Sequence, residues 1–430
     1  MPMTHDPDLH QTTLPNGVRV VAMAQPHLHS AAVSVFVGSG SAHESATNNG
    51  ISHFVEHMVF KGTLRRDVAQ INRDAEALGA ELNAHTDKDH TAYHLVGLGE
   101  HAPRFVHLLA DLVVCPTFPE AELARERQVL LDEHAEVEDD TGNAAWRLFD
   151  RACYGLHPLA QPVMGSRAVT ERMSAAALRQ WVARHHVGGN VVVVAAGGLD
   201  PAAVLEQARA DFAALPAGRP AAPAPAVWQG GLRSRSVSDS AQTQLILGWP
   251  LPPLAADDPV GELAAALFGE GMSSPLLAQL RERQGWVYYA NAAADHSRLA
   301  GEFVVEASFA PQRLEPVLAE VARLLAVQAK QVDADEMERA RQQVLVRWKR
   351  GLDSPSRRGE NAALELLALG RLRPLPQRLA QLQAVDAQAL RARFVAWLAQ
   401  PVALALGGRV PRGARERCRQ LLGQQGLRLA

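Results

Sequence analysis

His53-Phe54-Val55-Glu56-His57 is the stretch from which the rest of this sequence is best understood. In a helix, residues three and four positions apart lie on one face, so His53, Glu56 and His57 project together. Two imidazoles one turn apart can bind one face of a Zn²⁺ ion, and the carboxylate between them can reach a water molecule on that ion. The pattern predicts half of a site for metal-assisted hydrolysis.

The alternative is that the pattern is accidental. The chain contains 17 histidines, and composition alone produces such a spacing in roughly a few per cent of comparable chains. A histidine pair on a helix is also compatible with a polar surface. A zinc site therefore requires a further ligand elsewhere in the chain.

Length and composition set the class of protein. The 430 residues favour two or three domains, and 47% hydrophobic with 21% charged residues is typical of a globular protein with an ample core. The net charge is −3, and positive and negative residues are interspersed, so nothing in the sequence indicates nucleic-acid binding. Cys115, Cys153 and Cys418 are too far apart for a disulfide framework or a metal knuckle and suit a reducing compartment.

The sequence contains no recognisable targeting signal or membrane segment. The first eight residues are polar and acidic, so we expect no secretory signal, and there is no Arg-rich transit segment. No run of 18 apolar residues exists, so we expect no membrane span. The expected location is the cytoplasm.

A proline-rich stretch divides the chain. Ala214 to Gly231 contains four prolines and almost no charge, which is typical of an extended linker. We predict an N-terminal zinc-binding domain over residues 1–215, a linker over 216–232 and a homologous substrate-binding domain over 233–430.

The two halves carry similar patterns. A capped helix containing Leu178 is followed by an apolar strand and Gly197-Gly198, and 212 residues later Leu390 and Gly407-Gly408 repeat the arrangement. A second echo pairs the stretch from Ile71 to Val96 with that from Leu276 to Ala307. Self-similarity of Ala/Leu-rich sequence is the alternative, but two echoes in matching order favour duplication.

Short alternating segments indicate the fold class. Residues 81–86 and 91–96 are joined by a polar turn, which predicts an antiparallel hairpin. We predict an α+β fold in which each half is an antiparallel-rich sheet backed by helices.

Glu133 is the best candidate for the third ligand. It lies in a segment with helical spacing from Glu120 to Glu138, and Glu126 is two turns earlier on the same face. Glu126 can therefore hydrogen-bond a ligand imidazole. Other histidines, at positions 85, 90, 94, 185 and 186, have no spacing tied to this site and are expected to be surface or satisfied polar residues.

These residues resemble the inverzincin peptidases, the family of pitrilysin, insulin-degrading enzyme and the mitochondrial processing peptidase. In that family H-x-x-E-H precedes the glutamate ligand by about 75 residues, and here 75 residues lie between His57 and Glu133. The strings Leu14–Val20, Phe60–Thr63 and Glu133–Val137 are also similar to the processing-peptidase branch.

The resemblance implies a zinc endopeptidase whose two homologous halves face each other across a chamber. It implies one Zn²⁺ per chain, bound by His53, His57 and Glu133, with Glu56 as the general base. In the family an Arg and a Tyr seven residues apart hold the substrate backbone, and Arg281 and Tyr288 have this spacing. From the residues alone, a helix surface and a core position are the alternatives for that pair.

Substrate and partners follow from the same resemblance. Asn83 matches a strand that pairs with the substrate, although edge pairing uses the backbone. The expected partners are a peptide substrate and a second copy of the chain; a heterodimer with a related subunit is the alternative, as is a non-catalytic subunit. A structural zinc protein fits less well, because three ligands leave an open position.

Overall fold

The structure is a computed structural model, and it describes residues 8–237 and 240–429. Of the first eight residues, in which we expect no secretory signal, all but the last lie outside the described part. In the described part the strands are β1 (Leu9–Thr13), β2 (Arg19–Ala24), β3 (Ser30–Val37), β4 (Glu81–Thr86), β5 (Thr91–Leu98), β6 (Val191–Gly197), β7 (Gly231–Ser234), β8 (Thr243–Leu251), β9 (Val287–His296), β10 (Gly301–Phe309) and β11 (Ala403–Gly408).

The helices complete the element list. They are α1 (Ile51–Val59), α2 (Val68–Glu76), α3 (Ala102–Val114), α4 (Glu120–Asp139), α5 (Thr141–Tyr154), α6 (Arg167–Arg172), α7 (Ala175–His185), α8 (Pro201–Phe212), α9 (Pro259–Gly269), α10 (Pro275–Leu277), α11 (Leu314–Lys330), α12 (Ala334–Asp353), α13 (Pro355–Leu369), α14 (Leu375–Ala384), α15 (Ala387–Ala399) and α16 (Ala414–Gln424). Among the described residues, no helix has the length and apolar character that a membrane crossing requires.

Apart from the additional strand β1 at one edge of the first sheet, the two sheets have the same topology, which confirms the duplication. The first has the strand order β1-β2-β6-β3-β5-β4 and the second β7-β11-β8-β10-β9. In each, one parallel pair (β2 with β6, β7 with β11) adjoins a run of antiparallel strands. The fold is therefore α+β, with antiparallel-rich sheets backed by helices, as the alternating segments predict.

Local sequence accounts for many of the elements. Ser174 and Asp386 accept hydrogen bonds from the first turns of α7 and α15, as their positions before an apolar helical pattern predict. The all-aliphatic β6 is buried along its whole length, because helices cover both faces of the first sheet. The segment between Leu215 and Gly230 forms no helix or strand, as expected for a linker.

Two helices belong to the other unit from the one expected if the chain divided at the linker. Contacts group the described residues into one unit made of residues up to His134, Gln161–Ala224 and Arg350–Leu372, and a second unit made of the remainder. The helix α13 therefore covers the outer face of the first sheet, where Ala362, Ala363 and Leu366 pack against Phe36 and Val194. Conversely, α5 belongs to the second unit.

The start of α1 is fixed by a glycine and a buried carboxylate. Gly50 precedes α1 with φ +100°, and a Cβ there would lie 2.5 Å from the carbonyl oxygen of Met164. The carboxylate of Glu44 accepts hydrogen bonds from the backbone N–H groups of Gly50 at 2.6 Å and Ser52 at 2.8 Å. It therefore satisfies the N–H groups that the first turn of a helix leaves without partners.

We predict that Gly50→Ala lowers the unfolding free energy by about 2 kcal/mol or more, because the backbone conformation disfavours a side chain and the added methyl overlaps a carbonyl group. The control is Gly359→Ala in α13, where a Cβ would lie at an ordinary 3.5 Å from Val194 Cγ2. That change should stabilise the helix by roughly 0.5–1 kcal/mol. Urea unfolding of the metal-free protein measures both, and equal midpoints for the two variants would contradict the prediction.

Candidate metal centre

The H-x-x-E-H motif lies on α1, as predicted. Phe54, Val55 and Met58 pack into the core of the first unit, so the helix cannot rotate without exposing them. The opposite face presents His53 and His57, whose ring centroids are 4.6 Å apart. The local helical period therefore places both imidazoles side by side.

Glu133 on α4 meets the two imidazoles. His53 Nε2 lies 3.8 Å from Glu133 Oε1, and His57 Nε2 lies 3.7 Å from Glu133 Oε2. In the part of the chain that the structure describes, these three residues are the group whose ligand atoms all lie within 4.8 Å of one another. The structure thus brings together the three side chains that the sequence analysis assigned to the metal.

Glu126 holds the His57 ring in place. His57 Nδ1 donates a hydrogen bond to Glu126 Oε1 at 2.9 Å, and Lys61 Nζ donates to Glu126 Oε2 at 2.7 Å. Burial would raise the pKa of Glu126, but the hydrogen bonds from His57 and Lys61 outweigh it and lower this pKa. Because Nδ1 carries the proton, the lone pair of His57 is on Nε2, which faces Glu133.

Glu56 is a buried carboxylate beside this group. The hydroxyl of Thr86, at the end of β4, donates a hydrogen bond of 2.6 Å to Glu56 Oε2. Burial raises the pKa of Glu56; the Thr86 hydrogen bond and the charge of His57 oppose the rise. The carboxylate is thereby held in one orientation and made more basic than an exposed glutamate.

The donor set fits a zinc ion. Burial, together with the neighbouring His57 and His134, lowers the pKa of His53 to about 3, so its ring is neutral at physiological pH and can act as a ligand. Two ligands of a tetrahedral zinc ion lie about 3.3 Å apart. The distances of 3.8 and 3.7 Å between Glu133 and the two imidazoles are slightly longer, so small side-chain movements suffice to enclose an ion.

The remaining predicted site residues lie elsewhere. Asn83 is exposed on β4, which is the terminal strand of the first sheet. Arg281 and Tyr288 lie in the second unit, on a π-helical turn over Ala278–Arg283 and at the start of β9. Both are exposed, and Tyr288 retains 64% of its accessible surface, so it does not fill a core position.

The sequence analysis missed three residues that organise the centre. Glu44 caps α1, Thr86 orients Glu56 and Lys61 supports Glu126. Only Lys61 lies close enough to the motif to be suspected, one helical turn beyond His57. The histidines at positions 185 and 186 are buried and satisfied, by Ser39 Oγ and the carbonyl oxygen of Val113 respectively.

Comparisons with known proteins identify the family. The sequence model described as "Insulinase (Peptidase family M16)" matches residues 19–167, and that described as "Peptidase M16 inactive domain" matches residues 172–344. The chain belongs to peptidase family M16. The first match contains every residue of the metal centre, since residues 44 to 133 all fall within it.

Relatives of this M16 chain carry names of the same kind. An uncharacterized zinc protease of Rickettsia bellii is 31% identical over 333 residues, covering 77% of this chain and 81% of the relative. An uncharacterized zinc protease of Mycobacterium tuberculosis is 36% identical over 322 residues, covering 73% of each chain. The uncharacterized zinc protease YmxG of Bacillus subtilis is 36% identical over 187 residues, covering 44% of this chain and 46% of the relative.

Solved structures show the same fold. A peptidase M16 inactive domain from Pseudomonas fluorescens superposes with a TM-score of 0.86 at 21% identity, covering 94% of this chain and 99% of that one. A protease from Helicobacter pylori gives a TM-score of 0.86 at 20% identity, covering 93% and 98%. At these identities the likeness concerns the fold alone.

We predict that Glu126→Gln weakens zinc binding by about 10- to 100-fold, because the amide can present a hydrogen-bond donor to His57 and loses the charge that fixes its Nδ1 proton. Competition with a chromophoric chelator measures the affinity. Glu136→Gln, on an exposed position of the same helix, is the matched control and should bind zinc like the parent chain. Equal affinities for the two variants would rule out this role for Glu126.

Proposed function

We propose that this chain is a zinc-dependent endopeptidase that hydrolyses peptides or unfolded segments. The observation that carries the proposal is the convergence of His53, His57 and Glu133 on one point, with the Glu56 carboxylate alongside on the same helix. The relatives described above are named uncharacterized zinc proteases, which supports it. His53, His57 and Glu133 would hold one Zn²⁺ per chain.

Each residue then has a defined task. When bound, zinc supplies Lewis acidity: it lowers the pKa of a coordinated water and polarises the carbonyl group to be cleaved. Glu56 accepts a proton from the attacking water and later delivers it to the departing amine. Thr86 occupies Oε2 of Glu56, so the proton is taken up at Oε1. Glu126 keeps Nε2 of His57 directed at the metal.

The edge strand β4 offers a route for substrate binding. It pairs with β5 on one side and is the last strand of the sheet order. An extended peptide can add to such an edge through main-chain hydrogen bonds, which tolerates many sequences. We propose that the segment around Asn83 binds substrate in this way.

We further propose that Arg281 and Tyr288 bind the substrate backbone. A guanidinium group and a phenol can donate hydrogen bonds to a peptide carbonyl and to the oxyanion that develops on it. Their exposure and their spacing in the sequence support the proposal. These donors lie in the part of the chain matched by the inactive-domain description, so that part contributes binding rather than metal ligands.

The unit that acts is proposed to be a homodimer located in the cytoplasm. The metal-binding set and the Arg281–Tyr288 pair occur in one chain, which favours self-association over pairing with a related subunit. No disulfide joins the three cysteines in the described part of the chain, in keeping with a reducing compartment. A non-catalytic or regulatory subunit is the alternative function, and it is distinguished by the following experiment.

We predict that Glu56→Gln retains the zinc content of the parent chain but cleaves an unstructured peptide at least 10²-fold more slowly, because the amide cannot accept the water proton. Metal content by atomic emission and cleavage of a quenched fluorescent peptide library measure the two properties. Glu76→Gln, on an exposed position of α2, is the control and should cleave like the parent chain. An inactive parent chain would favour the regulatory alternative, and an active Glu56→Gln protein would sink the assignment of the base.

We predict that Arg281→Ala and Tyr288→Phe lower kcat/KM by about 10- to 100-fold without changing zinc content, because each removes a donor to the substrate. The neighbouring Arg283→Ala and Tyr289→Phe are matched controls of the same chemistry. Tyr289 Oη bonds to Glu306 Oε2 at 3.3 Å, so it already has a partner within the chain. Equal losses at 281 and 283, or at 288 and 289, would refute the assigned roles.

A further inference from the structure

A second group of imidazoles lies at the β4–β5 hairpin, on the opposite side of β4 from Thr86. His85 is on β4 and His94 is on β5, while His90 lies in the turn between the strands. His85 Nε2 and His90 Nε2 face each other at 3.3 Å. The ring of Phe36 on β3 lies beneath both, with centroids 6.3 Å from His85 and 5.4 Å from His90.

His90, like His57, has its Nδ1 hydrogen-bonded to a carboxylate. Its Nδ1 donates a hydrogen bond of 2.7 Å to Asp89 Oδ1, just as His57 Nδ1 donates to Glu126. A histidine that gives one ring proton to a carboxylate presents the lone pair of its other nitrogen, which is the usual arrangement of a metal-binding imidazole. In His90 this nitrogen is Nε2, the atom that faces His85.

The spacing of these atoms matches a metal site. Two imidazole nitrogens bound to one tetrahedral ion at about 2.0–2.1 Å lie about 3.3 Å apart. An ion can therefore replace the proton shared by His85 and His90 with little movement of either ring. We propose that His85 and His90 bind a second divalent transition-metal ion, of the class that prefers imidazole ligands, such as Zn²⁺.

Two further side chains can complete the coordination. His94 lies with its ring centroid 5.9 Å from that of His85, so it is the candidate third imidazole. Glu360 on α13 is exposed and close enough for its charge to act on both His90 and His94. Burial and a neighbouring imidazole lower the pKa of His85 and of His94, a direction that favours the neutral ring of a metal ligand. In His90 the hydrogen bond and charge of Asp89 outweigh burial and raise the pKa.

Binding here would stiffen the hairpin that serves the first metal centre. The ion would join β4 to the turn after it, and the residue that follows His85 is Thr86, whose hydroxyl holds Glu56. The second ion is thus a structural clamp on the hairpin rather than a participant in hydrolysis. This inference does not depend on the proposed peptidase activity.

The test uses a protein from which the first site has been removed. Metal-free His53→Asn/His57→Asn protein is titrated with Zn²⁺ alone, in competition with a chromophoric chelator. We expect it to bind one equivalent and its Tm to rise with zinc. Adding His85→Asn should abolish both effects, whereas adding His27→Asn, at an exposed position before β3, should leave both unchanged. Failure to bind zinc, or equal behaviour of the two triple variants, would overturn the second site.

A second measurement tests the proposal even if the His53→Asn/His57→Asn protein folds poorly. The otherwise unaltered chain should bind two equivalents of Zn²⁺, and His85→Asn should bind one. Asp89→Asn should weaken only the second binding event, by about 10- to 100-fold, because His90 loses the carboxylate that fixes its ring. A single equivalent in the unaltered chain would contradict the proposal. Loss of peptide cleavage with both equivalents still bound would count against the proposed function alone.

Discussion

The hydrogen bond between His57 and Glu126 is the constraint on which the metal centre depends. Helices α1 and α4 are joined through side chains, and this bond, with Lys61 on the other oxygen of Glu126, fixes how far one helix is displaced along the other. Glu133 lies two turns beyond Glu126, so the same displacement brings it to both imidazoles. The position of Glu126 thereby determines where the carboxylate of Glu133 lies.

The sequence predicts the features that depend on local spacing. The period of the helix places His53, Glu56 and His57 on one face, and the alternation of residues 81–96 predicts the β4–β5 hairpin that the structure contains. Ser174 and Asp386 predict where α7 and α15 begin, because a capping hydrogen bond spans only three residues of the sequence. Helical spacing makes Glu133 a candidate ligand, and the distance found in the family supports that choice, since no local rule relates residues 76 positions apart.

Tertiary contacts account for what the sequence does not predict. Glu44 caps α1 from six residues before Gly50, beyond the reach of the usual capping patterns, and Thr86 reaches Glu56 from another element. The facing nitrogens of His85 and His90 result from a tight turn and from Asp89, although the spacing alone suggested ordinary polar residues. Such contacts depend on how elements pack, which residue patterns along one element do not encode.

The assignment of α5 to the second unit and of α13 to the first affects how the chain folds. In the sequence α5 lies between β5 and β6 of the first sheet, and α13 lies between β10 and β11 of the second. Yet α13 covers Phe36 and Val194 of the first sheet, and α5 places Phe149 against Gly248 of the second. Two half-chains related by duplication have therefore exchanged equivalent helices, which is the arrangement of a domain-swapped dimer fused into one polypeptide. Neither half can bury its outer sheet face alone. Burial of the outer face of the first sheet must accordingly wait until residues beyond 350 have been synthesised.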